Sequence, residues 1–362
     1  MSTFQGLLNE SVFKGCAIDY FQGDVLKSCK VFFLSHFHTD HMKGIYDAAF
    51  NQMFIKDSSL LLYCSKISRK LLLKNRLMEI PAVQIVAMDK DPIDVCPNDC
   101  SIRVTPLRAG HCPGSMMLLF ESCGVTALYT GDFRITKKDL SRCKPLHNEE
   151  DGKVIQINSL YLDTTFAHCE YVHFPTREQS RDNIIRLIKG RHESIKYVSL
   201  DMPAKTGIEY LMVELYQEFQ TPIHVSDALC QEILSCIDQL IHVTTSELKK
   251  SFIHFCHPNY KGLGCSPCPK KEPNLCDDVL TIKPSAQFFH RSALKVGEVL
   301  QESDKYFRVA YSSHASLSEL VEFIAYLKPH NIYPSVISGD QTAEEVMQEI
   351  SMYAICEMGL QI

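Results

Sequence analysis

The chain has 362 residues, 45% of them hydrophobic and 22% charged, with a formal net charge of -6. That length suffices for two domains with substantial cores, and the composition excludes a fibrous or disordered chain. No apolar run reaches the ~18 residues of a membrane span, and sixteen scattered cysteines behind a first decapeptide without a secretory pattern fit an intracellular, reducing setting rather than a disulfide scaffold. The negative balance does not announce a nucleic-acid binder, although a local basic patch is enough for phosphate contacts.

Strand and helix signals alternate along the chain. Lys30–Ser35 (KVFFLS) is an apolar run of strand length that leads into a polar loop. Ile102, Val104 and Leu107 trace a partly alternating strand ahead of a Gly/Pro loop. Met116–Glu121 and Thr126–Thr130 flank Cys123-Gly124 as a hairpin-like pair, and Ser159–Leu162 is a further strand, followed by Asp163. In the middle section Thr176 and Gln179 make a capping box, opening a helix that Gly190 can close. Strands are expected at Tyr197–Leu200, Pro222–Val225, Phe252–Phe255 and Val279–Ile282, with a helix from about Gly207 to Phe219. A loop rich in Pro, Gly, Cys and Lys separates Cys256 from Cys276. Phe307–Tyr311 is the next strand, and Ser316 with Glu319 caps an amphipathic helix to about Leu327.

The chemistry concentrates in Ser35-His36-Phe37-His38-Thr39-Asp40-His41, directly after an apolar strand. His36 and His38, two apart in an extended loop, can converge on one side, while Asp40 and His41 address a neighbouring point. Such a set is costly to desolvate without a cation, and borderline metals such as zinc take mixed N/O ligands. Ala109-Gly110-His111-Cys112-Pro113-Gly114-Ser115 offers His111, and Thr130-Gly131-Asp132-Phe133-Arg134 offers Asp132. No Gly-x-Ser-x-Gly elbow supports Ser-His-Asp catalysis.

In this order, at loops that follow strands, these motifs resemble the metallo-β-lactamase superfamily. The resemblance implies an αββα sandwich in which His36, His38, His111 and Asp132 hold one metal, and Asp40, His41 and a bridging Asp132 hold a second. Two cations suit phosphodiester cleavage, because a pair roughly 3.5–4 Å apart acidifies a shared water and clamps the attacking and leaving oxygens. The cofactor expected is zinc, one or two ions, with magnesium or manganese as the alternative at the second position.

Leu162-Asp163-Thr164-Thr165-Phe166 and Ser312-Ser313-His314 resemble the β-CASP nucleases, whose cap domain is inserted in the hydrolase fold. The implied division is residues 1–164 and 311–362 for the metallo-β-lactamase domain and 165–310 for the cap. Asp163 then supports the site, His314 supplies a ligand or proton contact beside the second metal, and Asp19, in Ala17-Ile18-Asp19-Tyr20, orients the metal-binding histidines. The loops at His111–Ser115 and Tyr129–Arg134 are similar to the DNA-repair branch of that family.

A second metal signal lies in the cap. His224, His254 and Cys256, with Cys268 or alternatively Cys265, suit a closed tetrahedral structural zinc. Candidate DNA contacts are Lys66, Arg69 and Lys70 on adjacent helical turns, Ser312 beside His314, Lys205 by family position, and Phe37 as a stacking residue in a chain without Trp.

The family reading implies a monomeric, nuclear, structure-selective DNA endonuclease with 5′-exonuclease activity, with DNA held between domain and cap. It would open hairpins and trim overhangs in non-homologous end joining, beside the DNA-dependent protein kinase and other end-joining factors. The alternatives are a 5′-exonuclease of telomere ends or crosslinks, and an RNA-processing endonuclease of the same family.

Overall fold

The computed structural model describes residues 2–98, 100–191, 193–201, 207–225, 234–256, 278–339 and 341–359. The chain divides into two compact units, Met1–Cys169 with Ser313–Ile362, and Glu170–Ser312.

The first unit is an αββα sandwich. One sheet holds Cys16–Ile18, Val31–Leu34, Leu61–Ser65 and Ile85–Met88, in that order and all parallel. The other is ordered Asn331–Pro334, Ser159–Leu162, Val125–Tyr129, Met116–Ser122, Ile102–Arg108, Ile93–Val95. Its first two pairings are parallel and the rest antiparallel. Cys123 and Gly124, both left-handed at φ 49 and 76, make the tight turn between Met116–Ser122 and Val125–Tyr129, as a two-residue hairpin requires.

Val31–Leu34 has no polar face because it is covered on both sides. Val31 and Phe33 enter the core between the sheets, while Phe32 and Leu34 enter a second core under the helix Ala48–Lys56, beside Phe50 and Phe54. The Phe33 ring stacks on Tyr63 at 5.4 Å and meets Phe120 of the opposite sheet edge-on at 5.3 Å. Each such fully buried side chain contributes roughly 1.5–3 kcal/mol. On the far side, the helix Leu317–Leu327 packs against Ala343–Met358, which also meets Asn331–Pro334.

The second unit is built on one sheet, ordered Thr244–Thr245, Ile223–Val225, Ile253–Cys256, Tyr197–Asp201, Val279–Ser285, Tyr306–Ala310, Val299–Ser303. Only the last pairing is antiparallel. The helix Arg177–Lys189 begins with the expected capping box, Thr176 with Gln179, and ends at Gly190. Its Ser180 hydroxyl donates to the Ala310 carbonyl at 2.6 Å, tying helix to sheet. A second helix, Glu209–Phe219, follows. Among the described residues no helix is long and apolar enough to cross a membrane.

Candidate metal centre

Every side chain of the centre belongs to the first unit, and most leave the end of a sheet strand. Asp19 follows Cys16–Ile18, the histidine loop follows Val31–Leu34, and His111 lies beyond Ile102–Arg108. Asp132 follows Val125–Tyr129, Asp163 follows Ser159–Leu162, and His314 comes from the returning segment. The loops are drawn together by close backbone approach. A Cβ on Gly110 would meet the Arg134 carbonyl at 2.5 Å, and one on Gly131 would meet Ser35 Oγ at 2.8 Å. Both glycines are left-handed, at φ 69 and 52, so a side chain would also strain the backbone there.

His36, His38, His111 and Asp132 converge, each offering a ligand atom within 4.8 Å of the others. His38 Nδ1 lies 3.0 Å from His36 Nε2 and 3.1 Å from His111 Nε2. Asp132 Oδ2 is 3.4 Å from His36 Nε2 and 3.6 Å from His111 Nε2. The outer nitrogens set the tautomers. His111 Nδ1 faces the Ser313 carbonyl at 3.1 Å and must donate to it, which leaves Nε2 a bare lone pair in the neutral ring. Ser35 Oγ donates to Asp19 Oδ2 at 2.5 Å, so its oxygen accepts from His36 Nδ1 at 2.9 Å and His36 Nε2 is likewise bare.

A second group adjoins the first through Asp132. Its Oδ1 is 3.0 Å from His41 Nε2, and its Oδ2 is 3.9 Å from His314 Nε2. His41 Nε2 is fully buried and has no hydrogen-bond partner, since the short contact to Asp132 is not aligned as one. Asp40 Oδ2 stands 3.9 Å from the same nitrogen and accepts the Ser2 backbone N–H at 3.0 Å. Bare lone pairs crowded at such distances, with an orphaned ring nitrogen at 1% exposure, fit a cation-binding centre.

Two carboxylates hold this array from behind. Asp19, left-handed at φ 55, accepts Ser35 N on Oδ1 at 2.7 Å. Its Oδ2 accepts Ser35 Oγ, the Tyr129 hydroxyl at 2.9 Å and His41 Nδ1 at 2.8 Å. Asp163 Oδ1 accepts the amide and hydroxyl of Thr165 at 3.0 and 2.6 Å. Its Oδ2 accepts His314 Nδ1 at 2.8 Å and Phe133 N at 3.3 Å. In His36, His41, His111 and His314 the Nδ1 is thus engaged outward and Nε2 turned inward. This arrangement orients metal-binding imidazoles.

The electrostatics follow the same division. Burial, then the neighbouring His36, pushes His38 down to about 3. Burial and His314 hold His111 well below the usual histidine range. Both rings are therefore free bases near neutral pH. His41 goes the other way: burial opposes its charge, but Asp132 and Asp19 outweigh that and raise it well above the usual range. Burial also opposes charge on His314, and Asp163 with Asp132 raises it. Asp132, although buried, is held well below the carboxylate range by His41 and His314.

Other residues expected from sequence fall elsewhere. Phe37 is half-buried against the helix-side core. Lys66, Arg69 and Lys70 lie on one helix, Lys66–Lys74, with Lys66 and Lys70 exposed. Lys66 pairs with Asp89, and Arg69 donates to the carbonyls of Ile85 at 2.6 Å and Ala82 at 3.0 Å, so its guanidinium fastens helix to strand. Ser312 is buried in the second unit. There, too, His224 and His254 face each other, Nδ1 to Nδ1 at 3.0 Å, both buried. Cys256 lies on the strand with His254, its side chain outside the description, and Lys205, Cys265 and Cys268 lie outside the described residues.

Sequence reasoning missed the residues that lock the loops. Tyr129 and Ser2 act on Asp19 and Asp40. Buried Arg134 grips Glu319 through Nε at 3.1 Å and a terminal nitrogen at 3.0 Å. The adjacent Phe133 carbonyl accepts Ala315 N at 3.0 Å, which ties the Asp132 loop to the His314 loop. Arg134 sits two residues after Asp132, and Glu319 was already legible as a capping residue.

The family described as DNA repair metallo-beta-lactamase matches residues 238–340. The chain is 34% identical to the protein artemis of Gallus gallus over 96% of this chain and 49% of that protein. It is 32% identical to the protein artemis of Homo sapiens, over 96% of this chain and 51% of that protein. With the human DNA cross-link repair 1A protein it shares 27% identity, over 92% of this chain and 31% of that one. The chain thus spans about half the length of the artemis proteins it matches. A solved structure of a protein of unknown function from Enterococcus faecalis V583 has a TM-score of 0.51 at 16% identity, covering 84% of this chain and 75% of that one, and shares the fold.

Proposed function

From a chain that is Artemis-like over 96% of its length and carries the metallo-β-lactamase fold with a β-CASP insertion, we propose a metal-dependent phosphodiesterase that cuts DNA. The observation that carries the reading is the division of Asp132, with Oδ1 toward His41 at 3.0 Å and Oδ2 toward His36 at 3.4 Å and His111 at 3.6 Å. One carboxylate serving two nitrogen sets is what a pair of adjacent cations requires.

His36, His38, His111 and Asp132 hold one cation, and Asp40, His41, His314 and Asp132 the other. Zinc suits the imidazole-rich first set, and magnesium or manganese is the alternative for the second. When bound, the ions supply Lewis acidity toward water and the phosphate oxygens. The chain's own contribution is orientation. Asp19 and Asp163 fix His41 and His314, and Ser35 and the Ser313 carbonyl fix His36 and His111. Exposed Lys66 and Lys70 suit phosphate contacts. In the cap, the 3.0 Å approach of His224 Nδ1 and His254 Nδ1 supports the structural zinc expected from the sequence, for which Cys256 with Cys268 (or Cys265) would supply the remaining ligands.

The finer activity is the one implied by the resemblance of the His36–His41, His111–Ser115, Tyr129–Arg134 and Ser312–His314 motifs: a nuclear, structure-selective endonuclease with 5′-exonuclease action, opening hairpins and trimming overhangs in non-homologous end joining beside the DNA-dependent protein kinase. Products would carry a 5′-phosphate and a 3′-hydroxyl. The second reading is the alternative the motifs also allow, a 5′-exonuclease of crosslinked or telomeric ends, and the likeness to the DNA cross-link repair 1A protein favours its crosslink side. A gel assay with labelled hairpin, overhang and matched RNA strands, with and without chelator, separates these. Opening of a hairpin with a blocked 5′ end supports the first reading, and cleavage that survives full chelation overturns metal dependence.

A further inference from the structure

Beyond the centre, a turn and a distant helix of the first unit bring three different ligand types together. Phe166 and Ala167 are buried, at 5% exposure each, and backbone bonds from Ala167 N to Thr164 O and His168 N to Phe166 O fix the turn that follows. The next residues, His168 and Cys169, meet Glu349 of the helix Ala343–Met358. A ring nitrogen, the thiol sulfur and a carboxylate oxygen all lie within 4.8 Å of one another.

We propose that His168, Cys169 and Glu349 form a further zinc site, a clasp on the surface of the first unit. His168 Nε2 and Glu349 Oε1 are 3.7 Å apart, too far for a hydrogen bond. That spacing suits the edge of a tetrahedron whose centre lies about 2.0–2.3 Å from N, O and S ligands, an edge of roughly 3.3–3.8 Å. Glu349 Oε1 also accepts the Cys169 backbone N–H at 2.6 Å, so the carboxylate is already aimed at the turn. A thiolate beside an imidazole selects a borderline-soft divalent ion over magnesium or calcium. His168 keeps 45% of its side chain exposed and Glu349 21%, which leaves a path for the ion and a water as fourth ligand. The site would cross-link segments 180 residues apart in sequence.

The test compares wild type with Cys169→Ser and Glu349→Gln. Gln keeps an oxygen to accept the Cys169 N–H, so that variant removes the charge while preserving the structural bond. Each protein is saturated with zinc, freed of excess metal and its metal counted, then exchanged with cobalt and read by thiolate-to-cobalt absorption. The expectation is one equivalent less zinc in both variants, with weaker thiolate–cobalt absorption in Cys169→Ser and unchanged circular dichroism. Equal zinc content in wild type and in either variant that keeps its circular dichroism overturns the site.

Discussion

Asp163 holds His314 across 151 residues of chain, with Oδ2 and Nδ1 2.8 Å apart. Both oxygens of Asp163 accept, Oδ1 from Thr165 and Oδ2 from His314 and Phe133. An amide in either orientation would set a donor against donors. Asp163→Asn should therefore loosen the His314 ring, lowering metal affinity about 10–100-fold. Competition with a chromogenic chelator measures it, and an unchanged affinity would refute the orienting role.

Asp19 serves the opposite side of the centre and accepts four bonds, from Ser35 twice, Tyr129 and His41. Tyr129→Phe removes one of them and keeps the ring in the core, so it should cost about 1 kcal/mol. Asp19→Asn tolerates the left-handed backbone yet strands buried donors, and should cost roughly 2–3 kcal/mol together with metal affinity. Urea unfolding of both variants checks the order. Tyr129→Phe costing as much as Asp19→Asn would be the contrary result.

Asp40 is the most accessible carboxylate of the centre, with 27% of its side chain exposed. Asp40→Asn should leave the fold within about 0.5 kcal/mol of wild type, as substitutions near the surface usually do. Cleavage should fall at least ~100-fold with loss of the second cation. Activity on labelled DNA, set beside the melting curve, decides the matter, and retained cleavage would refute the two-cation assignment.

Removing metal should destabilise the first unit, because ions bound only by the folded state stabilise it by mass action, about 2.7 kcal/mol at 100 times the dissociation constant. A melting scan should show a drop on chelation and recovery on zinc addition. A melting temperature indifferent to both would exclude a tightly bound ion.

Glu209 gives the second unit a pH dependence. Burial pushes its carboxyl from 4.5 up to about 7, and Oε1 has no hydrogen-bond partner, while Oε2 accepts Gly207 N at 2.7 Å. Between those values the folded chain keeps a proton that the unfolded chain has released. Stability is therefore full below about pH 4.5, falls as pH rises to about 7, and is then lost by roughly 3 kcal/mol. Glu209→Gln should flatten that slope in urea midpoints taken from pH 5 to pH 8, and an identical slope would contradict the assignment.

Much of the centre could be read locally because its ligands cluster in loops behind apolar strands. Val31–Leu34 is a run of four apolar residues, and the histidines begin two residues later. The short strands Cys16–Ile18, Ile93–Val95 and Asn331–Pro334 could not be read so, since three or four residues carry no periodicity and are held by their neighbours in the sheet. The locking contacts were hidden for another reason. Tyr129 reaches Asp19 across 110 residues and Arg134 reaches Glu319 across 185, distances at which spacing carries no signal. The helix Ala343–Met358 did carry a local mark, the capping box of Thr342 and Glu345.

The strand Asn331–Pro334 completes its sheet beside Ser159–Leu162, long after the rest of that sheet has been made. On the ribosome the first unit must therefore wait, its ligand loops present but His314 and the edge strand still unmade, while the whole of Glu170–Ser312 is synthesised. A nascent chain that stalls in that interval has the histidine loop without its last imidazole. Competence thus arrives late in translation, after the inserted unit has had time to fold.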